Sequence, residues 1–342
     1  MPATASPSNT SRILYEQAIV VDATAPLAPF SYASSTLGPE KLISPYAKAG
    51  VTLAVFTLVD DYPYSIEQTV KLLAANRRFV FAKRQQLCLA DGAADVREAK
   101  RERKLAIAFA FQGSSSVMGD LALVEVYRRL GVIQLALAYN CANFAADGCH
   151  ESRNSGLTSF GRKLIGEMNR VGMILDLTHV GLRSSMEALE ITTRPPVFSH
   201  STPKRFAPHD RNITDEQIRA CAAKGGVICL SGVGLFMDRA AGLASTSKLV
   251  DTIEYVADLV GPKHVGLGLD YVMDTELLAR FITDNPDAYG GGVQYPSDGR
   301  IDFASPAVLC EIAGQLSARG YVDDDIRGML GENYLRVMEA NQ

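Results

Sequence analysis

Histidine is scarce in this chain, five among 342 residues, and two of the five close successive apolar runs. GMILDLTH ends on His179 and PVFSH ends on His200. Imidazoles that face each other suit a divalent metal, because each can offer one ring nitrogen while an acceptor behind it holds the other. Asp270 closes a third run, HVGLGLD, and its carboxylate could act as a ligand or as a general base. No H-E-x-x-H is present, so a metal site would have to be assembled from distant segments. Asp22, Gln112, Tyr139 and Ser231 end other apolar runs, and Asp60 stands just past one. His150 and His209 fall in segments of loop character and read as solvated or hydrogen-bonded residues.

The elements that must position this ring are eight buried-strand candidates: 18–22, 51–57, 105–111, 132–138, 172–178, 196–200, 226–231 and 264–270. They are apolar throughout rather than alternating, as strands buried on both faces are. Segments of helical spacing separate them at 65–86, 119–130, 157–171, 183–190, 214–224 and 247–260, and two more, 305–319 and 323–341, close the chain. Ser65 with Gln68 and Thr214 with Gln217 fit capping boxes, and Gly225 fits a left-handed helix stop. Eight strands alternating with helices predict an α/β fold, a (β/α)8 TIM barrel in one domain with C-terminal helices. The barrel spans 13–342 behind a disordered lead-in at 1–12. Reacting groups of such a barrel emerge at the C-terminal ends of the strands, which is where the polar ring lies. An open doubly wound sheet is the other architecture, but AIVVDATAP at 18–26 carries no Gly-rich first turn. The short G-x-G runs at Gly232–Gly234 and Gly266–Gly268 read as tight backbone packing. The longest irregular stretch, 271–304, reads as a lid or a subunit contact.

Composition narrows the partners. A net charge of −4 and a pI near 5.8 leave no basic footprint for nucleic acid. No run approaches the roughly 20 apolar residues of a membrane span, and MPATASPSNTSR lacks the pattern of a secretory signal. Six scattered cysteines without C-x-x-C spacing favour reduced thiols and a cytoplasmic location. Cys221 and Cys229 fit as small core hydrophobes. Asp323–Asp325 reads as an acidic helix start.

Several stretches together carry a family resemblance: GLTSFGRKLIGEMNRVGMILDLTH at 156–179, PVFSHS at 196–201, HDRNITD at 209–215, HVGLGLD at 264–270 and GENYLRV at 331–337. Their order and spacing resemble the membrane (renal) dipeptidase family of metallopeptidases, a branch of the amidohydrolase-type barrels. The resemblance implies a (β/α)8 barrel, a two-zinc site, activity on dipeptides and small amides, and a homodimer. It implies that His179 and His200 hold one metal and that Asp270 acts at the reaction centre. It also implies that Arg211, followed by Asn212, anchors the substrate carboxylate, which a guanidinium fork can hold bidentately. Asp210 stands where the family has proline and places a negative charge beside that arginine.

The departures fall on the metal centre. The family's first strand ends in Asp-Gly-His-x-Asp, whose histidine and last aspartate bind the other metal. Here those positions are Thr24 and Pro26, and neither side chain is a zinc ligand. The bridging glutamate corresponds to Gln112, which brings no negative charge, and an oxyanion-stabilising histidine corresponds to Tyr139, whose phenol can still donate. Asp22 and Gln112 remain weak candidate ligands. Three readings follow: a divergent hydrolase of a small amide or dipeptide-like carboxylate with zero or one zinc ion; a metal-independent enzyme on a small carboxylate; or a non-catalytic ligand-binding or scaffold barrel.

Overall fold

The computed structural model describes residues 9–26, 37–61, 65–238, 242–292 and 294–342. Nine parallel strands form its sheet: β1 (Val21–Ala25), β2 (Leu53–Val59), β3 (Leu87–Leu89), β4 (Leu105–Phe111), β5 (Val132–Ala136), β6 (Ile174–Asp176), β7 (Val197–Ser201), β8 (Val227–Leu230) and β9 (Val265–Leu267). Eight of them follow one another around the barrel, β1-β2-β4-β5-β6-β7-β8-β9, and β3 pairs only with β4. Because β2 occupies the other edge of β4, β3 and β5 share one edge: β3 lies beside 105–107 and β5 beside 109–111. Past the end of β9, the Asp270 amide donates to Thr24 O (3.2 Å) and closes the seam onto β1. The (β/α)8 architecture is the one expected, with one short strand added.

Alternation sorts each strand into two faces. Leu53 and Val55 of β2 and Ala106, Ala108 and Ala110 of β4 fill the barrel interior. Their neighbours Ala54, Phe56, Leu58, Ile107, Phe109 and Phe111 pack outward on the surrounding helices. Each large apolar side chain buried this way contributes about 1.5–3 kcal/mol. The interior joins Tyr334, Leu335, Val337 and Met338 of the last helix, Asn333–Ala340. That helix seals the N-terminal end of the barrel: Tyr334 donates to Gln134 Oε1 (2.7 Å), and Asn333 Nδ2 to Val265 O (2.8 Å). The chemistry is left with the opposite mouth.

Local signals were obeyed closely. Both capping boxes form at Ser65 and Thr214, and Gly225 takes φ +74°. A Cβ on Gly268 would stand 1.8 Å from Ser199 O, and one on Gly234 2.3 Å from Gly242 O. The G-x-G runs are therefore sites of close backbone approach. Four expectations need correction. The first strand runs Val21–Ala25, not 18–22, because a bulge between Asp22 and Ala25 carries pairing through DATA. Residues 9–12 of the expected lead-in belong to a helix, Asn9–Gln17, while 1–8 lie outside the described residues. The segment 65–86 is a helix only over Ile66–Ala82; β3 and a highly charged helix, Ala93–Glu102, follow. The stretch 271–304 is not irregular throughout, since it contains the helix Thr275–Asp284. Among the described residues no helix is long and apolar enough to cross a membrane.

Candidate active site

Three residues around the C-terminal mouth hold left-handed backbone: Asn140 (φ +60°), His179 (+69°) and Asp270 (+57°). Such conformations cost a non-glycine residue about 1–2 kcal/mol and cluster where function fixes a side chain. For His179 the turn DLTH has a visible support. The Asp176 carboxylate accepts from Thr178 N (3.0 Å) and Ser199 N (3.1 Å), tying the end of β6 to β7. Ser199 Oγ also donates to Asp176 Oδ2 (2.5 Å). His200 extends from β7 behind this turn, and its Nε2 lies 3.0 Å from His179 Nε2. His179 Nδ1 lies 2.7 Å from Asn140 Oδ1. His200 Nδ1 lies 2.8 Å from Ser199 Oγ and 3.0 Å from Thr24 Oγ1. Burial first, and then the positive charge of Arg211, hold both imidazoles well below the usual histidine pKa. Both rings are neutral at pH 7.

The cavity in front of His179 measures about 80 Å³. Thr57, Gln112, Tyr139, Arg211 and Asp270 join His179 in its polar wall, with Pro26 at one side. Phe236 and Val233, with Leu278 and Ile282 of the 275–284 helix, make the opposite wall apolar. Tyr139 stacks on His179 (ring centroids 4.0 Å apart), and its hydroxyl meets that of Tyr289 at 2.9 Å. Burial, then the Asp60 charge, raises the Tyr139 pKa well above its ordinary value, so the phenol stays protonated and can donate. Burial pushes Asp270 up to about 7, against the lowering influence of Arg211.

Arg211 is the unusual member. It is buried, its Nε has no hydrogen-bond partner, and its guanidinium lies 5.3 Å from the centre of the Phe236 ring. Among the described residues no carboxylate pairs with it. The surrounding segment is rigidly tied: Arg211 N donates to His209 Nδ1 (3.1 Å), and Asn212 Nδ2 donates to Ala207 O and Phe236 O (both 2.9 Å). A buried cation without a paired carboxylate is costly, so the fold holds this one ready for an anion.

Not every expected site residue joins the cavity. Asn212 spends its amide protons on the loop and faces a neighbouring polar cleft. Asp22 lies in the seam, where its Oδ1 accepts from Leu269 N (2.8 Å) and Thr24 N (3.3 Å); it holds β1 to β9 and spans the bulge. Ser231 accepts from Val233 N (3.3 Å) in a turn. Asp210 does not compete for Arg211; its carboxylate is 3.7 Å from His150 Nδ1. Of the two loop histidines, His209 is buried and hydrogen-bonded, as one of the two expectations had it, reaching Gln294 O (3.1 Å), and His150 is buried rather than solvated, its side chain 4% exposed. Asn140, Phe236, Tyr289 and Tyr295 belong to the site but carry no sequence pattern that would single them out.

A two-zinc centre does not fit these donors. Thr24 Oγ1 meets His200, Pro26 has no donor, and the neutral Gln112 has its amide nitrogen unpartnered. Among the described residues no third His, Cys, Asp or Glu joins His179 and His200 in a metal-binding group, and a catalytic zinc needs three protein ligands.

Residues 46–279 match the family described as membrane dipeptidase, peptidase family M19. The dipeptidase aclJ of Aspergillus oryzae is 30% identical over 230 residues, 66% of this chain and 49% of its own length. An uncharacterized dipeptidase of Schizosaccharomyces pombe is 29% identical over 284 residues, 81% of this chain and 63% of its own. The chain thus spans about half to two thirds of the length of these relatives. The crystal structure of an amidohydrolase from Pseudomonas aeruginosa superimposes with a TM-score of 0.86 at 26% identity, covering 97% of this chain and 98% of that one. A probable dipeptidase, PvdM, from the same organism shares the fold at a TM-score of 0.78 and 18% identity, over 97% and 98% of the two chains.

Proposed function

The chain belongs to the membrane dipeptidase family, and from that premise we propose that it is a divergent hydrolase of a small amide or dipeptide-like substrate bearing a free carboxylate. The observation that carries this reading is Arg211, a buried guanidinium without a carboxylate partner among the described residues, in the wall of a small cavity it shares with Asp270. A guanidinium fork suits a carboxylate, and the 80 Å³ cavity suits a small one. The donor set supports at most one zinc ion and favours acid–base chemistry by the chain's own residues. Asp270, with a pKa of about 7, is suited to take a proton from water as that water attacks the amide carbon. The same carboxyl can then return the proton to the departing nitrogen. The protonated Tyr139 is the donor available to the oxygen on which charge develops.

The test is a panel of N-acyl amino acids and dipeptides, each paired with its C-terminal carboxamide, with amine release followed before and after chelation. Turnover of a free carboxylate but not of its carboxamide, unchanged by chelator, is the expected result. Binding without turnover across the panel would favour the non-catalytic barrel. Turnover restored only by Zn2+ would return a metal to the mechanism.

A further inference from the structure

We infer that His179 and His200 form a directly hydrogen-bonded pair of fixed tautomers, part of a spine that begins at β1 and latches the 275–292 cover over the mouth. The direction of the spine follows from its ends. Asn140 Nδ2 donates to Ala288 O in that cover (2.9 Å), which turns Asn140 Oδ1 toward His179 Nδ1, 2.7 Å away. A carbonyl oxygen only accepts, so the His179 proton sits on Nδ1, and its Nε2 is a lone pair in the neutral ring. The 3.0 Å contact between the two Nε2 atoms then needs its proton on His200. His200 Nδ1 is left as an acceptor; the Ser199 hydroxyl (2.8 Å) gives its one proton to Asp176, so the donor is the Thr24 hydroxyl (3.0 Å), turned to the ring rather than to Ala23 O (2.7 Å). The order of donation therefore runs from the Thr24 hydroxyl to His200 and on to His179. The Asn140 amide accepts the His179 proton at Oδ1 and donates from Nδ2 to Ala288 O, which ties the rings to the cover.

Two consequences separate this chain from a metal centre built on the same histidines. Both His179 ring nitrogens are already spent, so the ring presents its face to Tyr139 and offers no lone pair to the cavity. Thr24, at the position of a family metal ligand, instead supports His200. His179, His200 and Asn140 are positioning residues on this account, and their role does not depend on which substrate is turned over.

The test uses the intact protein labelled with 15N-histidine, its two rings identified by the signals lost in His179→Gln and His200→Gln. At neutral pH one ring is expected as the Nδ1–H tautomer and the other as the Nε2–H tautomer, and one equivalent of Zn2+ should move neither. If both Nε2 atoms lack protons and shift with Zn2+, the inference is overturned. Asn140→Asp keeps the acceptor and the tolerance for left-handed backbone but removes the donor to Ala288. It should speed amide hydrogen exchange across 287–289 about five- to tenfold. Exchange equal to the parent's would refute the latch.

Discussion

Replacing Arg211 with methionine should make the protein more stable while removing its grip on carboxylates. The side chain is 3% exposed, its Nε is unpartnered, and among the described residues no carboxylate pairs with it. The unliganded fold therefore bears the desolvation of a cation offset only by the attraction of Asp270 and the face of the Phe236 ring, without a hydrogen-bonded carboxylate. Methionine keeps comparable length, packs on Phe236 and carries no charge, so about 1–3 kcal/mol should be recovered, within the roughly 1–4 kcal/mol gained when buried ionic groups give way to hydrophobes. For 342 residues an unfolding entropy of about 2.1 cal/mol/K per residue translates each kcal/mol into about 1.4 °C. The thermal midpoint should rise by about 1.5–4 °C. A small carboxylate bound through the fork should lose about 2–4 kcal/mol, a thirtyfold to thousandfold weakening. Calorimetric unfolding and ligand titration of parent and variant measure the two halves separately. An Arg211→Met protein that unfolds several degrees earlier would show that the guanidinium is structural, and unchanged carboxylate affinity would show that it does not hold the ligand.

Two further outcomes follow from the carboxylates. The Asp270 pKa in the fold, about 7, lies above the value near 4 of an unfolded chain. Its contribution to stability is thus intact below pH 4 and lost as pH rises through 7. Asp270→Asn should erase up to about 4 kcal/mol of that loss, seen as a stability gain over the parent at pH 8 that vanishes at pH 4 in urea titrations; kcat/KM of the parent should rise through pH 7. Asp22 serves the seam, so Asp22→Asn, which retains its acceptor, should keep activity within severalfold. Asp22→Ala should lose about 2–3 kcal/mol in denaturant unfolding, and abolished activity in the asparagine variant would place Asp22 in the reaction instead.

The barrel was legible because parallel strands buried on both faces must be apolar along their whole length: six of the eight runs that form the barrel wall lie within two residues of where their patterns put them, β9 ends three residues early, and β1 is shifted by three at both ends. Strand β3, Leu87–Leu89, escaped because three residues hold no period. Strand β1 was misplaced because its pairing includes Asp22 and, past a bulge over Ala23 and Thr24, resumes at Ala25, with the polar groups of Asp22 and Thr24 bonded. His179 and Asp270 could be named from their places at strand ends, and Arg211 from the family resemblance. Their company could not, since Asn140, Phe236 and Tyr289 reach the mouth from three separate segments, and only closure of the barrel makes them neighbours. The family resemblance also placed Thr24, Pro26 and Gln112 where metal ligands were expected, and their side-chain chemistry could be read without the fold, because ligand chemistry is a property of the residue. What the two histidines do instead was decided by tertiary structure. The 3.0 Å contact between their rings, and the hydrogen bonds that orient each of them, exist only where β1, β6 and β7 meet.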